Sequence, residues 1–452
     1  MRNMGIFKKL VSAAAAIALI FNSFNFEANA QGYEKFIKEN PERAGGIYHY
    51  YEYVPSDPTK TPKGYKPFYI SHYGRHGSRY HSGSGMFSEA VSILDAAGKA
   101  GLLTEEGGLL KSQIDTVWNE HQGMFGMLTA RGAKEHQAIA GRMFEDYPEV
   151  FKAKDRKEVE CVSSYWPRCL VSMANFSSKL KEENGDLEFR YLTGPKYIDY
   201  ISMDLEMSKV IKESNTLQRH ILDSLLHKER LFEAIFNDPA KAASLIEDPV
   251  KFIDNIYTAG AISPNTDAHP DIFSHFTVEE LTALWMARND KMYHNYGISA
   301  EAGEYVSSIA KPLIEDIVAK ADAAVADGSD RAADLRFGHD VGLLPLLGTI
   351  GISTMENRWK SADAHNHWLD FFGMPMGANL QMVFFKNKKG DVLVKILVNE
   401  RETLIPAVEA FDGPFYRWAD LREHLVRTAA AISDEFIVKD SGEKERTGVA
   451  GM

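Results

Sequence analysis

Phe68-Tyr69-Ile70-Ser71-His72-Tyr73-Gly74-Arg75-His76-Gly77-Ser78-Arg79 is the stretch on which the fold turns. Phe68 to Ser71 is an apolar, aromatic run of strand length that stops near Gly74, and a loop rich in Arg and His follows at once. A strand that delivers polar side chains at its carboxyl end is characteristic of open α/β sheets, whose sites form beyond those ends. The rest of the chain can be read against that expectation.

Downstream, helical and strand patterns alternate. Ser88 to Ala100 has apolar residues at helical spacing and is closed by Gly101. Arg131 to Phe144 reads as a helix with Thr129 as its N-cap, Glu158 to Val162 as a strand, and Arg168 to Leu180 as a helix again. From about 196 to 330 the pattern becomes helical, with long stretches at Ser208 to Phe236 and Glu301 to Ala326 and a capping box Thr277-x-x-Glu280. Strand character resumes at Ala333 to Phe337, followed by a helix from Val341. Leu380 to Phe385 and Val392 to Val398 form a hairpin across Asn387-Lys388-Lys389-Gly390. The expected fold is α/β: a central, mostly parallel sheet flanked by helices, with an inserted smaller α-helical cap. The expected division is 31–195 and 331–440 for the core, 196–330 for the cap, and 441–452 for a flexible tail.

Residues 1–30 read as an export segment. Arg2, Lys8 and Lys9 precede the apolar run Leu10 to Phe21, and Ala28-Asn29-Ala30 supplies small residues before Gln31. The run is shorter than the roughly 20 apolar residues a membrane span requires. Cleavage near Ala30-Gln31 and a periplasmic or secreted product are expected. Cys161 and Cys169 are the only cysteines. Two free buried thiols are favoured over a bridge, which export would permit.

The chain has 452 residues, 44% hydrophobic and 25% charged, with 51 Lys plus Arg against 63 Asp plus Glu and a net charge of −12. Such composition excludes disordered, collagenous and polytopic membrane chains. An acidic field disfavours nucleic acid and stable association with an anionic membrane, and no obligatory protein partner is evident. An anionic small molecule would therefore need a local cluster of Arg.

Such a cluster falls at three strand ends: Arg75-His76-Gly77-Ser78-Arg79, Ser163-Ser164-Tyr165-Trp166-Pro167-Arg168, and Gly338-His339-Asp340. Arg75, Arg79 and Arg168 suit the oxygens of a phosphomonoester, which Arg grips in fixed, partly bidentate geometry. His76, kept neutral by neighbouring Arg charges, has a lone pair for attack on phosphorus. Gly77 would let the backbone approach the bound group. Asp340 would protonate the leaving oxygen and then activate water, and His339, if protonated, would add a positive donor. Taken singly, Arg-His-Gly also suits a surface turn, His-Asp an Asp N-cap, and Arg168 a solvated helix position. A metal site on His72, His76, His339 and Asp340 is disfavoured because Gly74 and Gly77 interrupt the stretch and Arg75 and Arg79 would repel the ion. No metal or cofactor is expected.

These motifs, in this order, resemble those of the histidine phosphatase superfamily in its acid phosphatase and phytase branch. That family carries Arg-His-Gly-x-Arg-x-Pro and a distant His-Asp; His81 stands here at the Pro position. Leu128-Thr129-Ala130-Arg131-Gly132 is similar to its Leu-Thr-x-x-Gly step, and Ser163-Ser164 with Arg168 to the segment bearing its third phosphate-binding Arg. Ser71 to Arg79, Leu343-Leu344-Pro345-Leu346-Leu347-Gly348 and Lys395-Ile396-Leu397-Val398-Asn399-Glu400 look most like multiple inositol polyphosphate phosphatases. That subgroup usually has His-Ala-Glu where this chain has His339-Asp340. The resemblance implies His76 as nucleophile, Asp340 as proton donor, and Arg75, Arg79, Arg168 and His339 as phosphate ligands. It implies hydrolysis of inositol polyphosphates. An Asp beside several Arg should titrate low and a bound phosphate dianion should push it back up, so activity favouring acidic pH is expected. A broad acid phosphatase for simple esters and a non-catalytic phosphate-binding relative are the alternatives. Lys209, Lys212, Arg219 and His220 either meet extra phosphates or form a solvated helix face.

Overall fold

The computed structural model describes residues 32–201, 205–433 and 435. The expected export segment and the tail at 441–452 lie outside the described residues. Among the described residues no helix is long and apolar enough to cross a membrane.

One sheet organises the chain. Its strands are β1 (Lys66–Arg75), β2 (Glu158–Ser163), β3 (Glu188–Thr193), β4 (Arg331–Gly338), β5 (Asn379–Lys386), β6 (Val392–Val398), β7 (Arg401–Thr403) and β8 (Phe415–Arg417). Their order is β3-β2-β4-β1-β5-β6-β7, with β8 beside β6. β1 to β4 run parallel, whereas β5 is antiparallel to β1 and β6 to β5. The sheet is therefore mixed, with β1 to β4 as its parallel half. β5 and β6 are joined directly through the tight turn at Gly390, where φ is +89°, and a tight turn can link only antiparallel strands. β1, β2 and β4 are buried along almost their whole length, as strands covered by helices on both faces must be.

The helices used below are α1 (Gly85–Lys99), α2 (Glu105–His121), α3 (Ala130–Asp146), α4 (Pro167–Glu183), α5 (Ser208–Leu225), α6 (Lys228–Ile235), α7 (Pro249–Ile262), α8 (Val278–Tyr296), α9 (Lys311–Val325), α10 (Asp340–Ile350) and α11 (Trp418–Ala431). On one face of the sheet, Ile139 of α3 and Phe176 of α4 meet Leu335, Phe337 and Val383. On the other, Leu313 of α9, Leu343 of α10 and Leu421 of α11 meet Tyr69, Met382 and Phe384. A third apolar cluster joins Phe87 of α1, Ile114 of α2, Leu231 of α6, Ile256 of α7 and Trp285 of α8.

The apolar clusters draw on helices from both within and outside 196–330. α9 lies against the sheet, while α1 and α2, from the N-terminal part, pack with the helices at 228–296. An amphipathic stripe specifies that a helix face is buried, but not against what. The long helical patterns also break. Ser208 to Phe236 divides at Leu226-His227, and Glu301 to Ala326 restarts at Lys311, with Pro312 in the first turn where its missing N–H costs nothing. The capping box at Thr277 and Glu280 forms in both directions. Cys161 and Cys169 are both free and buried.

Candidate active site

Register brings three strand ends to one edge. Arg75 of β1 pairs with Gly338 of β4, and Ser163 of β2 with Phe337 of β4. The loop after β1 is then stitched on both sides. His76 N donates to Gly338 O (3.0 Å), Arg75 N to Ala378 O (2.8 Å), and Gly377 N to His76 O (3.0 Å).

Beyond β1 the loop lies backbone to backbone on the first turn of α3. A Cβ on Gly77 would stand 2.6 Å from Gly132 O, and one on Gly132 would stand 2.2 Å from Ser78 O. Both glycines are thus required by the close contact between this loop and the first turn of α3. Thr129 closes the junction, its hydroxyl donating to Ser78 O (3.0 Å) and accepting from Gly132 N (3.3 Å). Glu135, which the sequence motifs did not single out, accepts from Ser78 N and from Ser78 Oγ, each at 2.7 Å.

Arg75 is fully buried. Its Nη1 donates to Ile47 O and Met374 O, both at 2.7 Å, and its Nη2 lies 2.7 Å from Asp340 Oδ2. Ile47 is held in turn by Asp370, which accepts from Ile47 N (3.1 Å) and from Trp285 Nε1 (2.8 Å). Burial pushes the Asp370 carboxyl up to about 7. Arg79 lies over the Tyr48 ring, 5.4 Å from its centroid, and the Tyr48 hydroxyl is 3.3 Å from His81 Nε2. His81, in place of the family's Pro, therefore supports the ring beneath Arg79.

His76, Arg79, Arg168, His339 and Asp340 all line one cavity of about 360 Å³. His76 Nδ1 is 2.9 Å from Gly77 O; with the proton there, Nε2 keeps its lone pair. Burial, then Arg75, Arg79 and Arg168, hold the imidazole well below its ordinary pKa. His339 has Ser164 Oγ 3.0 Å from Nε2 and Arg168 Nη2 3.5 Å from Nδ1. Burial and Arg168 lower it to about 3, which disfavours the protonated form that would make it a positive donor. Burial alone would raise Asp340, but Arg75, His339 and Arg79 outweigh it and leave the carboxyl below its usual range. Asp340 is the first residue of α10, after the N-cap His339, and its Oδ1 accepts from Val341 N (2.9 Å); the alternative reading of Asp340 as the N-cap does not hold.

Other expected candidates lie elsewhere. His72 is packed between Phe176 and Phe337, at 5.0 and 5.5 Å. Among the described residues no group of three His, Cys, Asp or Glu could hold a metal ion. Lys209, Lys212, Arg219 and His220 are on an exposed face of α5, where Lys209 pairs with Glu213 and Arg219 with Asp223 and Asp248.

No family model and no curated protein matches the chain. Solved structures do. The multiple inositol polyphosphate phosphatase of Bifidobacterium longum in complex with phosphate superposes with a TM-score of 0.70 at 18% identity, over 85% of this chain and 97% of that one. The phytase from D. castellii gives 0.65 at 13% identity, covering 87% and 86%. The Hafnia alvei phytase gives 0.52 at 13% identity, covering 82% and 98%. The architecture is the histidine acid phosphatase fold.

Proposed function

We propose that this chain is a histidine-type phosphatase, a phosphomonoester hydrolase that acts through a phosphohistidine intermediate. The observation that carries this reading is His76: buried, neutral, bonded at Nδ1, and lining one cavity with Arg79, Arg168 and Asp340. Arg75, Arg79, Arg168 and His339 would hold the phosphoryl oxygens. The Nε2 lone pair attacks phosphorus while the bond to the ester oxygen breaks, and Asp340 gives that oxygen its proton. The resulting Asp340 carboxylate then takes a proton from water. The water oxygen attacks phosphorus, the P–N bond breaks, and inorganic phosphate and neutral His76 are restored.

The helices around α7 and α8 would form a cap over the sheet's site edge. Export to the periplasm or medium rests on the pattern at 1–30 alone. The names of the similar structures favour inositol polyphosphates as substrate. A second reading, simple monoesters, is favoured by the apolar wall of the cavity described below. Retention of nucleophile, acid and all three arginines argues against a non-catalytic relative.

The test is phosphate release by purified protein in EDTA, with rapid quenching to trap phosphoenzyme. An alkali-stable, acid-labile phosphoenzyme that is absent in His76→Ala is the expected result. Turnover by His76→Ala at the wild-type rate would falsify the mechanism.

A further inference from the structure

Beside the residues assigned to phosphate, the cavity lining is largely apolar. Trp166, Ile198, Leu205, Met207, Tyr296 and Ile309 line it. Leu205, Met207, Tyr296 and Ile309 are not loose surface groups, because they join one cluster that continues inward through Val210 and Val306. The wall is therefore held in place from behind. At its mouth Trp166 is exposed, stacked on Tyr165 with ring centroids 5.8 Å apart.

Among the described residues lining this cavity, the permanent cations are Arg79 and Arg168, and both are committed to the reacting phosphate. Beyond the lining, Arg288 is 2.8 Å from Asp254 and bonds Thr258 Oγ1, and Lys291 donates to Gln218 (2.8 Å). Each phosphate monoester carries a charge of roughly −1.5 to −2 near neutrality. A polyphosphorylated ring would bring further phosphates against leucine, isoleucine and methionine side chains, with no further permanent cation among the described lining residues to receive them, which is a large desolvation cost. One phosphate on an apolar body fits both halves of the cavity.

We propose that this site selects monophosphate esters of aromatic or apolar alcohols over polyphosphorylated substrates, with Leu205, Met207, Tyr296 and Ile309 as the specificity wall. The proposal rests on the phosphatase reading of the same site. The test compares kcat/KM for benzyl phosphate, glycerol 1-phosphate and inositol hexakisphosphate; the first two have alcohol leaving groups of comparable basicity. Benzyl phosphate is expected to exceed the glycerol ester by about tenfold or more, with the hexakisphosphate lowest. Met207→Lys is expected to lower the benzyl phosphate value about tenfold and raise that for the hexakisphosphate. Competitive inhibition by inorganic phosphate monitors the phosphate grip in the variant. A higher kcat/KM for the hexakisphosphate than for benzyl phosphate overturns the proposal and leaves the phosphatase reading intact. Equal values for the benzyl and glycerol esters, or a Met207→Lys profile like the wild type, also overturn it. No release from any ester by folded protein overturns both readings together.

Discussion

Arg75 Nη2 and Asp340 Oδ2 stand 2.7 Å apart, on an arginine with no solvent exposure. The guanidinium is fixed from behind by two carbonyls, and its other edge meets the carboxylate. A phosphate dianion entering the cavity competes for that edge and adds negative charge beside Asp340. Both effects return proton affinity to the carboxyl.

Phosphate binding should therefore return a proton to Asp340. Free inorganic phosphate at pH 5 to 6 is mostly the monoanion and gives up a proton if it binds as the dianion, so the informative quantity is the difference between proteins. In calorimetric titrations with buffers of different ionisation enthalpy, the wild type should take up more protons, or release fewer, than Asp340→Asn. Equal proton counts for the two would contradict the coupling between Arg75, Asp340 and ligand.

Asp340→Asn should also cost about 10²- to 10⁴-fold in kcat on benzyl phosphate, the usual range for a lost general acid. With p-nitrophenyl phosphate, whose leaving group scarcely needs a proton, the loss in the first step should be much smaller. Burst kinetics would separate that step from hydrolysis of the phosphoenzyme.

Acid should weaken the fold even though it favours the chemistry. Burial lowers His72 and His339 to about 3 and His81 and His136 to about 4, below their ordinary value of about 6.5. The unfolded chain thus binds protons at these sites that the folded chain refuses. Their contribution to stability is complete above pH 6.5 and drains away toward pH 4, at up to roughly 1.4 kcal/mol per pH unit for each. Asp370 works in the opposite sense: raised to about 7, it contributes fully below the ordinary carboxylate range and loses that contribution as pH rises through 7. Thermal unfolding of the ligand-free protein should show Tm falling from pH 6.5 to 4. A flat profile would mean that these histidines are not held neutral.

Gly132→Ala should separate the loop from α3. The added methyl would fall 2.2 Å from Ser78 O and 2.7 Å from Ser78 N, so the backbone that carries His76 and Arg79 must move. A loss of about 1–3 kcal/mol in stability and of about 100-fold or more in kcat/KM is expected from denaturant unfolding and steady-state assays. Gly141→Ala, at a position in the same helix whose Cβ meets only Lys179 Cε at 3.5 Å, is the control.

Glu135→Gln should act through the same loop without adding bulk. One oxygen can still accept from Ser78 N and the new NH₂ can donate to Ser78 Oγ, but that NH₂ then faces the Tyr51 N–H, which donates to Glu135 Oε1 at 3.2 Å, and the charge assistance disappears. kcat should fall about tenfold, with little change in the affinity for inorganic phosphate.

What was legible in the sequence was local. Thr129 as a cap, the Thr277 and Glu280 box and the hairpin across Gly390 each depend on residues a few positions apart, and each formed. The strand ends carrying Arg75, Ser163 and Gly338 were legible because polar density follows an apolar run. Partners distant in sequence were not legible. Glu135 and Asp370 read as ordinary acidic residues until folding aims them at Ser78 N and Ile47 N. α1 and α2 carry apolar stripes that do not say they belong with α7 and α8. Leu205, Met207 and Ile309 look like any core residues, and their place beside the phosphate-gripping arginines depends on how Lys311–Val325 and its approach pack on the sheet.

β1 sits between β4 and β5, and the loop bearing His76 is bonded to Gly338, Gly377 and Ala378. On a ribosome these residues emerge long after His76 does. The first third of the chain contains α1 to α3, yet β1 gains its neighbours β4 and β5 only once residues 331–386 have been made. Assembly of such distant pairings is slow. The proposed site is therefore completed late in biosynthesis, and a chain truncated before β5 would carry every candidate site residue and still lack the frame that aligns them.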